Sequence, residues 1–230
     1  KHLEVNYECG DCKDTGMLFE KVTETINYKG DEKEVTKDIG RHCHCVSKKA
    51  LISRFKNALI PDEFKNARFD SYERYDETTE LLFNATKEYL QSFPTELKGD
   101  EVDSLGFIAV IGESQIRQLN EEDRYIAKEK HNNFGLGKTH LQMAAAKWLL
   151  NNVKVYDEIA PGQHSKYARG CTVLCISDRE FMDNLTHAQM AGDGGKELND
   201  LIYGAINADV LVWDDLGKTK WSESKEGFYY

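Results

Sequence analysis

No run among the 230 residues approaches the roughly 18–20 consecutive apolar side chains that span a bilayer. No secretory core segment is visible either. The chain therefore reads as intracellular and cytoplasmic, with no membrane partner. Internal repeats and low-complexity tracts are missing too. Positive charge is the scarcer sign, with 30 Lys and Arg against 40 Asp and Glu, a formal net charge of −10. That balance excludes a protein that coats nucleic acid by bulk charge, though not one with a local basic groove. What is present is ordinary for a globular chain: 40% hydrophobic and 30% charged residues. The length suits one large domain or two smaller ones. The sequence begins with Lys1 and ends just after an expected strand and turn, so it reads as a fragment, truncated at least at its C-terminal end.

The six cysteines are unevenly spread. Cys9-Gly-Asp-Cys12 and Cys43-His-Cys45 supply four thiols near the N-terminus. In a cytosolic chain such pairs point to a metal rather than to disulfides. Tetrahedral Zn²⁺ takes sulfur and nitrogen ligands, and a C-x-x-C knuckle presents two of them from one turn. A module spanning residues 5–46 holds little core of its own, so a metal would stabilise it. His42 and His44 compete as ligands, and a thioredoxin-like redox pair is the rival reading, without the βαβ context it needs. Cys171 and Cys175 lie in an apolar run and read as small core residues.

Between the ligand pairs, alternating residues with Lys29-Gly30-Asp31 as a turn predict a β-hairpin. Residues 47–59 predict a helix with Leu51, Ile52, Phe55 and Leu59 on one face, broken by Ile60-Pro61. This places a zinc-binding module at residues 1–59 and a second domain at 60–230. Residues 73–93 predict an amphipathic helix with Leu81, Leu82, Ala85, Tyr89 and Leu90 as its core face. Residues 105–112, 172–176 and 210–215 are apolar and strand-like. They alternate with helical stretches at 141–150, 178–190 and 197–206, an arrangement that predicts an α/β fold with a parallel sheet.

The most informative stretch is Gly135-Leu136-Gly137-Lys138-Thr139-His140. It matches the end of G-x-x-x-x-G-K-[ST], a loop whose backbone N–H groups cradle phosphates. In that pattern Lys138 reaches the terminal phosphates of ATP and the Thr139 hydroxyl binds Mg²⁺. Asn132 stands where the pattern places its first Gly. If residues 113–132 are removed, the strand ending at Gly112 runs straight into Asn133 and the pattern is complete. Gly112 is therefore read as the first glycine, displaced by an insertion that would form a short exposed helix carrying Ile116, Leu119 and Ile126. Asp214 and Asp215 end the last apolar strand. One orients Mg²⁺ and the next polarises the attacking water in such sites. Alternatively they are turn residues before Gly217.

Taken together, Cys9-Gly-Asp-Cys-Lys-Asp-Thr-Gly16 with Cys43-His-Cys45, Ile60-Pro61 through Ala67-Arg-Phe-Asp70, Gly135-Leu-Gly-Lys-Thr-His-Leu141 and Asp214-Asp-Leu-Gly217 make the chain resemble the DnaC/DnaI-type replicative helicase loaders, a clade of AAA+ ATPases. The resemblance implies an AAA+ core behind a zinc module that grips the hexameric replicative helicase. It implies binding of ATP, Mg²⁺ and single-stranded DNA, and self-association on ATP binding. Gly135, Leu136, Gly137, Lys138, Thr139 and His140 would form the loop, Asp214 would be the metal-orienting acid and Asp215 the catalytic one. Sensor and arginine-finger residues would follow Tyr230. Two rivals stand beside it: a transposition helper ATPase of the IstB type, which generally lacks the cysteine module, and a helicase-binding adaptor with a degenerate ATPase. Lys218, Lys220, Trp221 and Lys225 interleave charge with an aromatic, as a stacking platform for DNA or a solvated loop would.

Overall fold

Alternating side chains fold the N-terminal region into a ribbon: β1 (Met17–Tyr28) pairs antiparallel with β2 (Asp31–His42) over their whole length. The computed structural model describes residues 7–28, 30–99, 104–108, 113–130 and 135–217. Gly30 turns the chain at φ +98° with its N–H on the Asn27 side chain, a conformation that β-carbon sterics close to most other residues. The ribbon is exposed along all of β2. Diagonal ion pairs, Lys37–Glu24 at 2.6 Å and Arg41–Glu20 at 2.5 Å, run across it. It leads into α1 (His44–Asn57). This helix starts earlier than its apolar spacing predicts, because the Cys43 carbonyl already accepts from Val46 N–H. Leu59 lies beyond its end in the left-handed region at φ +53° and is exposed, as is Ile52, so the expected apolar face is only partly used.

The chain divides into two units, Lys1–Ser53 and Arg54–Tyr230. The second is built around α5 (Lys138–Asn152), which buries Leu141, Met143, Leu149 and Leu150. Burying each such side chain contributes about 1.5–3 kcal/mol. Against α5 lies α2 (Glu77–Ser92). Its start at Glu77 rather than Glu73 has a local cause. Asp76 accepts from Thr79 N–H at 2.7 Å while the Thr79 hydroxyl bonds back to Asp76, a capping box. The buried face is Thr79, Phe83, Thr86 and Leu90, and Leu81 points to solvent. Both buried threonine hydroxyls are satisfied within the helix or its cap.

β3 (Glu96–Leu97) pairs parallel with β4 (Lys154–Val155), and β4 antiparallel with β7 (Arg169–Gly170). Pro161-Gly162 turns a small hairpin, β5 (Glu158–Ala160) with β6 (Gln163–His164). β8 (Val173–Ser177) and β9 (Val210–Asp214) form a parallel pair, register Val173↔Val210 to Ser177↔Asp214. Two helices connect them, α6 (Asp178–Met190) and α7 (Lys196–Ile206). On its other side β8 donates the Cys175 N–H to the Ala58 carbonyl at 2.9 Å. Cys171 and Cys175 are core residues, and burial pushes both thiols up to about 12.

The fold is thus mixed α/β with four small sheets among the described residues. Among the described residues the parallel pairs are β3–β4 and β8–β9, in separate sheets, and the single parallel sheet that the sequence predicts is not seen. Residues 105–108 of the expected first strand carry no strand, and residues 109–112 lie outside the described residues. The insertion forms two helices, not one: α3 (Glu113–Gln118) and α4 (Glu121–Lys130), separated by Asn120, whose side chain caps the second. Ile116 is buried, whereas Ile126 is exposed. No described helix is long and apolar enough to cross a membrane.

Candidate functional site

The four N-terminal thiols converge. Cys9 and Cys43 Sγ lie 3.7 Å apart, Cys12 and Cys45 Sγ 3.4 Å apart, and all four sulfurs fall within 4.8 Å of one another. These separations are far beyond the about 2.05 Å of a disulfide. They suit a tetrahedron of sulfurs about 2.3 Å from zinc, whose edges would be about 3.8 Å. All four cysteines are buried, whereas His44, 3.6 Å from both Asp11 and the Cys43 sulfur, is exposed. The four buried sulfurs are a set that could hold a metal such as zinc, and Cys9, Asp11 and the exposed His44 bring a second group of ligand atoms within 4.8 Å of one another. Burial opposes ionisation of Cys12, but the Gly16 N–H and the neighbouring thiols outweigh it and hold this thiol at about 7. Cys45, beside Cys12 and buried, is pushed up to about 12.

The knuckle has a bracket that its spacing does not reveal. Lys13 and Asp14 sit at φ +50° and +64°. In that turn the Asp14 carboxylate accepts from Glu8 N–H at 3.0 Å and Cys9 N–H at 2.9 Å. Those two backbone bonds hold its carboxyl below the usual range. Asp14 thus aims the first ligand without touching a sulfur. Asp14→Ala should weaken metal binding about tenfold, as loss of an outer partner does. Competition against a chromophoric chelator reads this directly, and an unchanged affinity would remove Asp14 from the site.

The second constellation lies at the N-terminus of α5. Gly135 and Gly137 take φ +70° and +69°, Leu136 between them is buried, and the helix begins at Lys138. The Thr139 hydroxyl donates to Asp214 Oδ2 at 2.9 Å, joining residues 75 apart in sequence. Asp214 closes β9 and is partly buried; Asp215 follows in the left-handed region at φ +58° and is exposed. His140 Nε2 lies 2.8 Å from the Arg68 carbonyl, so its ε-nitrogen carries the proton and donates. Of the expected residues, the structure brings Thr139 and Asp214 together and sets Gly135 to His140 on one loop and first turn. Gly112, Asn132, Asn133 and residues 218–230, with Trp221, lie outside the described residues.

The residues that the sequence does not signal are Tyr72 and Tyr75. The Tyr72 hydroxyl donates to the Leu136 carbonyl at 2.6 Å, and the Tyr75 hydroxyl to the Gly135 carbonyl at 3.3 Å. Lys147 fastens the preceding segment to α5, its ammonium donating to the carbonyls of Phe64, Lys65 and Ala67. A hydroxyl–carboxylate pair thus sits at the first turn of a helix that follows a loop with two left-handed glycines. No protein-family model, curated protein or solved structure matches the chain.

Proposed function

We propose that the chain is an ATP-dependent loader of the replicative helicase, of the DnaC/DnaI type, with an AAA+ core behind a zinc module. The observation that carries this reading is the Thr139–Asp214 hydrogen bond. A loop threonine and a strand-end acid in contact are the two protein groups that share Mg²⁺ in such ATPases. Gly135, Leu136 and Gly137 lead into Lys138 and His140 at the start of α5, and Gly112 is the loop's first glycine by sequence pattern alone. Mg²⁺, when bound, neutralises charge on the terminal phosphates of ATP. The protein's own part is positional. The first N–H groups of α5 and the Lys138 ammonium would meet the phosphates. Thr139 and Asp214 would hold the cation, and Asp215 would polarise the attacking water. The module held by Cys9, Cys12, Cys43 and Cys45 grips the hexameric helicase, the ATPase domain meets single-stranded DNA, and ATP binding drives self-association.

Titration calorimetry tests this with Thr139→Val, which keeps shape and removes the hydroxyl. Micromolar binding of MgATP is expected for the parent chain. The variant should bind about tenfold more weakly in Mg²⁺, the cost of one charge-assisted contact, and equally in EDTA. A parent chain that does not bind MgATP overturns the reading. Capture of a transposase rather than the replicative helicase by the full chain would shift it to the IstB-type helper.

A further inference from the structure

In a trans peptide the carbonyl and the following N–H point in opposite directions. A group that holds the Leu136 carbonyl therefore also sets the direction of the Gly137 N–H, and one that holds the Gly135 carbonyl sets that of Leu136. Tyr72 and Tyr75 do this with their hydroxyls. Tyr72 is itself fixed. It is 8% exposed, its ring is stacked on Phe83 at 5.9 Å and tilted against His140 at 5.8 Å. A β-carbon on Gly137 would meet its ring at 2.7 Å, so ring and loop are fitted to each other. The segment carrying both tyrosines is fastened to α5 through His140 and Lys147. Burial raises the Tyr72 phenol, which keeps it a donor.

We propose that Tyr72, assisted by Tyr75, is the positioning residue of the loop, turning the two peptide planes so that the Leu136 and Gly137 amides are presented together to a phosphate. The proposal rests on the nucleotide reading of that loop. Preset amides avoid the ordering cost that a free glycine loop would incur on binding. Tyr72 acts through backbone and touches no phosphate itself.

The test is Tyr72→Phe in the full, zinc-loaded chain, since Phe keeps the ring on Phe83 and removes only the hydroxyl. Two readouts are needed: MgATP affinity, and hydrogen exchange at the Gly137 amide without nucleotide. MgATP affinity should fall about three- to tenfold, the net contribution of one hydrogen bond. Gly137 exchange should rise while that of the β8 amides stays constant. Tyr75→Phe, whose bond is longer, should lose about twofold or less by the same measure. Unchanged MgATP affinity in Tyr72→Phe overturns the proposal and leaves the nucleotide reading standing. A fall in affinity accompanied by faster exchange in β8 also overturns it, by showing a general loss of stability. A parent chain that does not bind MgATP removes both.

Discussion

Stripping the metal with a chelator is expected to unfold the first unit outright. Its buried side chains are few: Cys9, Cys12, Cys43 and Cys45, with Leu18 packed against them. The ribbon above them is exposed along β2, and an isolated two-stranded hairpin is marginal in water. Nothing else described in the unit resembles a core, and a structural zinc held by the four thiols would contribute about 10–16 kcal/mol at neutral pH. That exceeds the entire net stability of many domains. Cys43→Ser, at the most buried of the four positions, should have the same effect. Amide dispersion of residues 9–42 is the readout, with Co²⁺ absorption reporting one four-sulfur site per chain. A ribbon that keeps its dispersed spectrum in chelator would show that the thiols are not a structural metal centre.

The second large effect is expected at Asp209, just before β9. Its carboxylate accepts two bonds from the Arg169 guanidinium, at 2.6 and 2.8 Å, and two from Thr172, through the backbone N–H and the hydroxyl, both at 2.7 Å. Asp209→Ala leaves these donors without their acceptor. A fully buried pair broken this way costs about 3–5 kcal/mol. Arg169 is 41% exposed, so water recovers part of the loss, and about 2–3 kcal/mol is expected. That corresponds to roughly 5–10 °C in the melting midpoint of a unit this size. Asp157, more exposed at the other end of the same guanidinium, should be close to neutral when replaced.

The pH dependence has a definite sign. Burial would raise the Asp209 carboxyl, but Arg169 and Thr172 outweigh it and hold it below the usual range. A depressed carboxyl stabilises fully above its unfolded value of about 3.9 and loses that contribution as pH falls through the folded value. Asp209→Ala should therefore flatten the acid limb of the stability curve below about pH 4. Parallel curves for variant and parent would mean that the carboxylate does not carry this effect.

The two expectations differ in how visible they are in the chain. The thiol cluster is legible because four ligands of one chemistry recur at short spacings, and α6 is legible because its apolar residues fall on one face. Asp209 gives no such sign. Its partners are 40 and 37 residues away, Arg169 in β7 and Thr172 just before β8. Tyr72 and Leu136 meet across 64 residues for the same reason. Local pattern reports faces and caps, whereas long-range polar contacts depend on how strands are laid side by side. The sequence extends α2 back to Glu73, whereas the Asp76 capping box starts it at Glu77. The small strands β4 to β7 are too short for alternation to register them.

The ribbon has a further consequence. Its sulfurs pin only the base, and each rung is a self-contained cross-strand pair from Met17↔His42 out to Tyr28↔Asp31. Rungs can therefore be added or removed near the turn, two residues at a time, each changing the reach by about 3.4 Å. Removing an even number keeps every remaining side chain on its own face. Length is thus a variable that the thiol cluster does not constrain, and the ribbon can be tailored in reach without altering the anchor on which it stands.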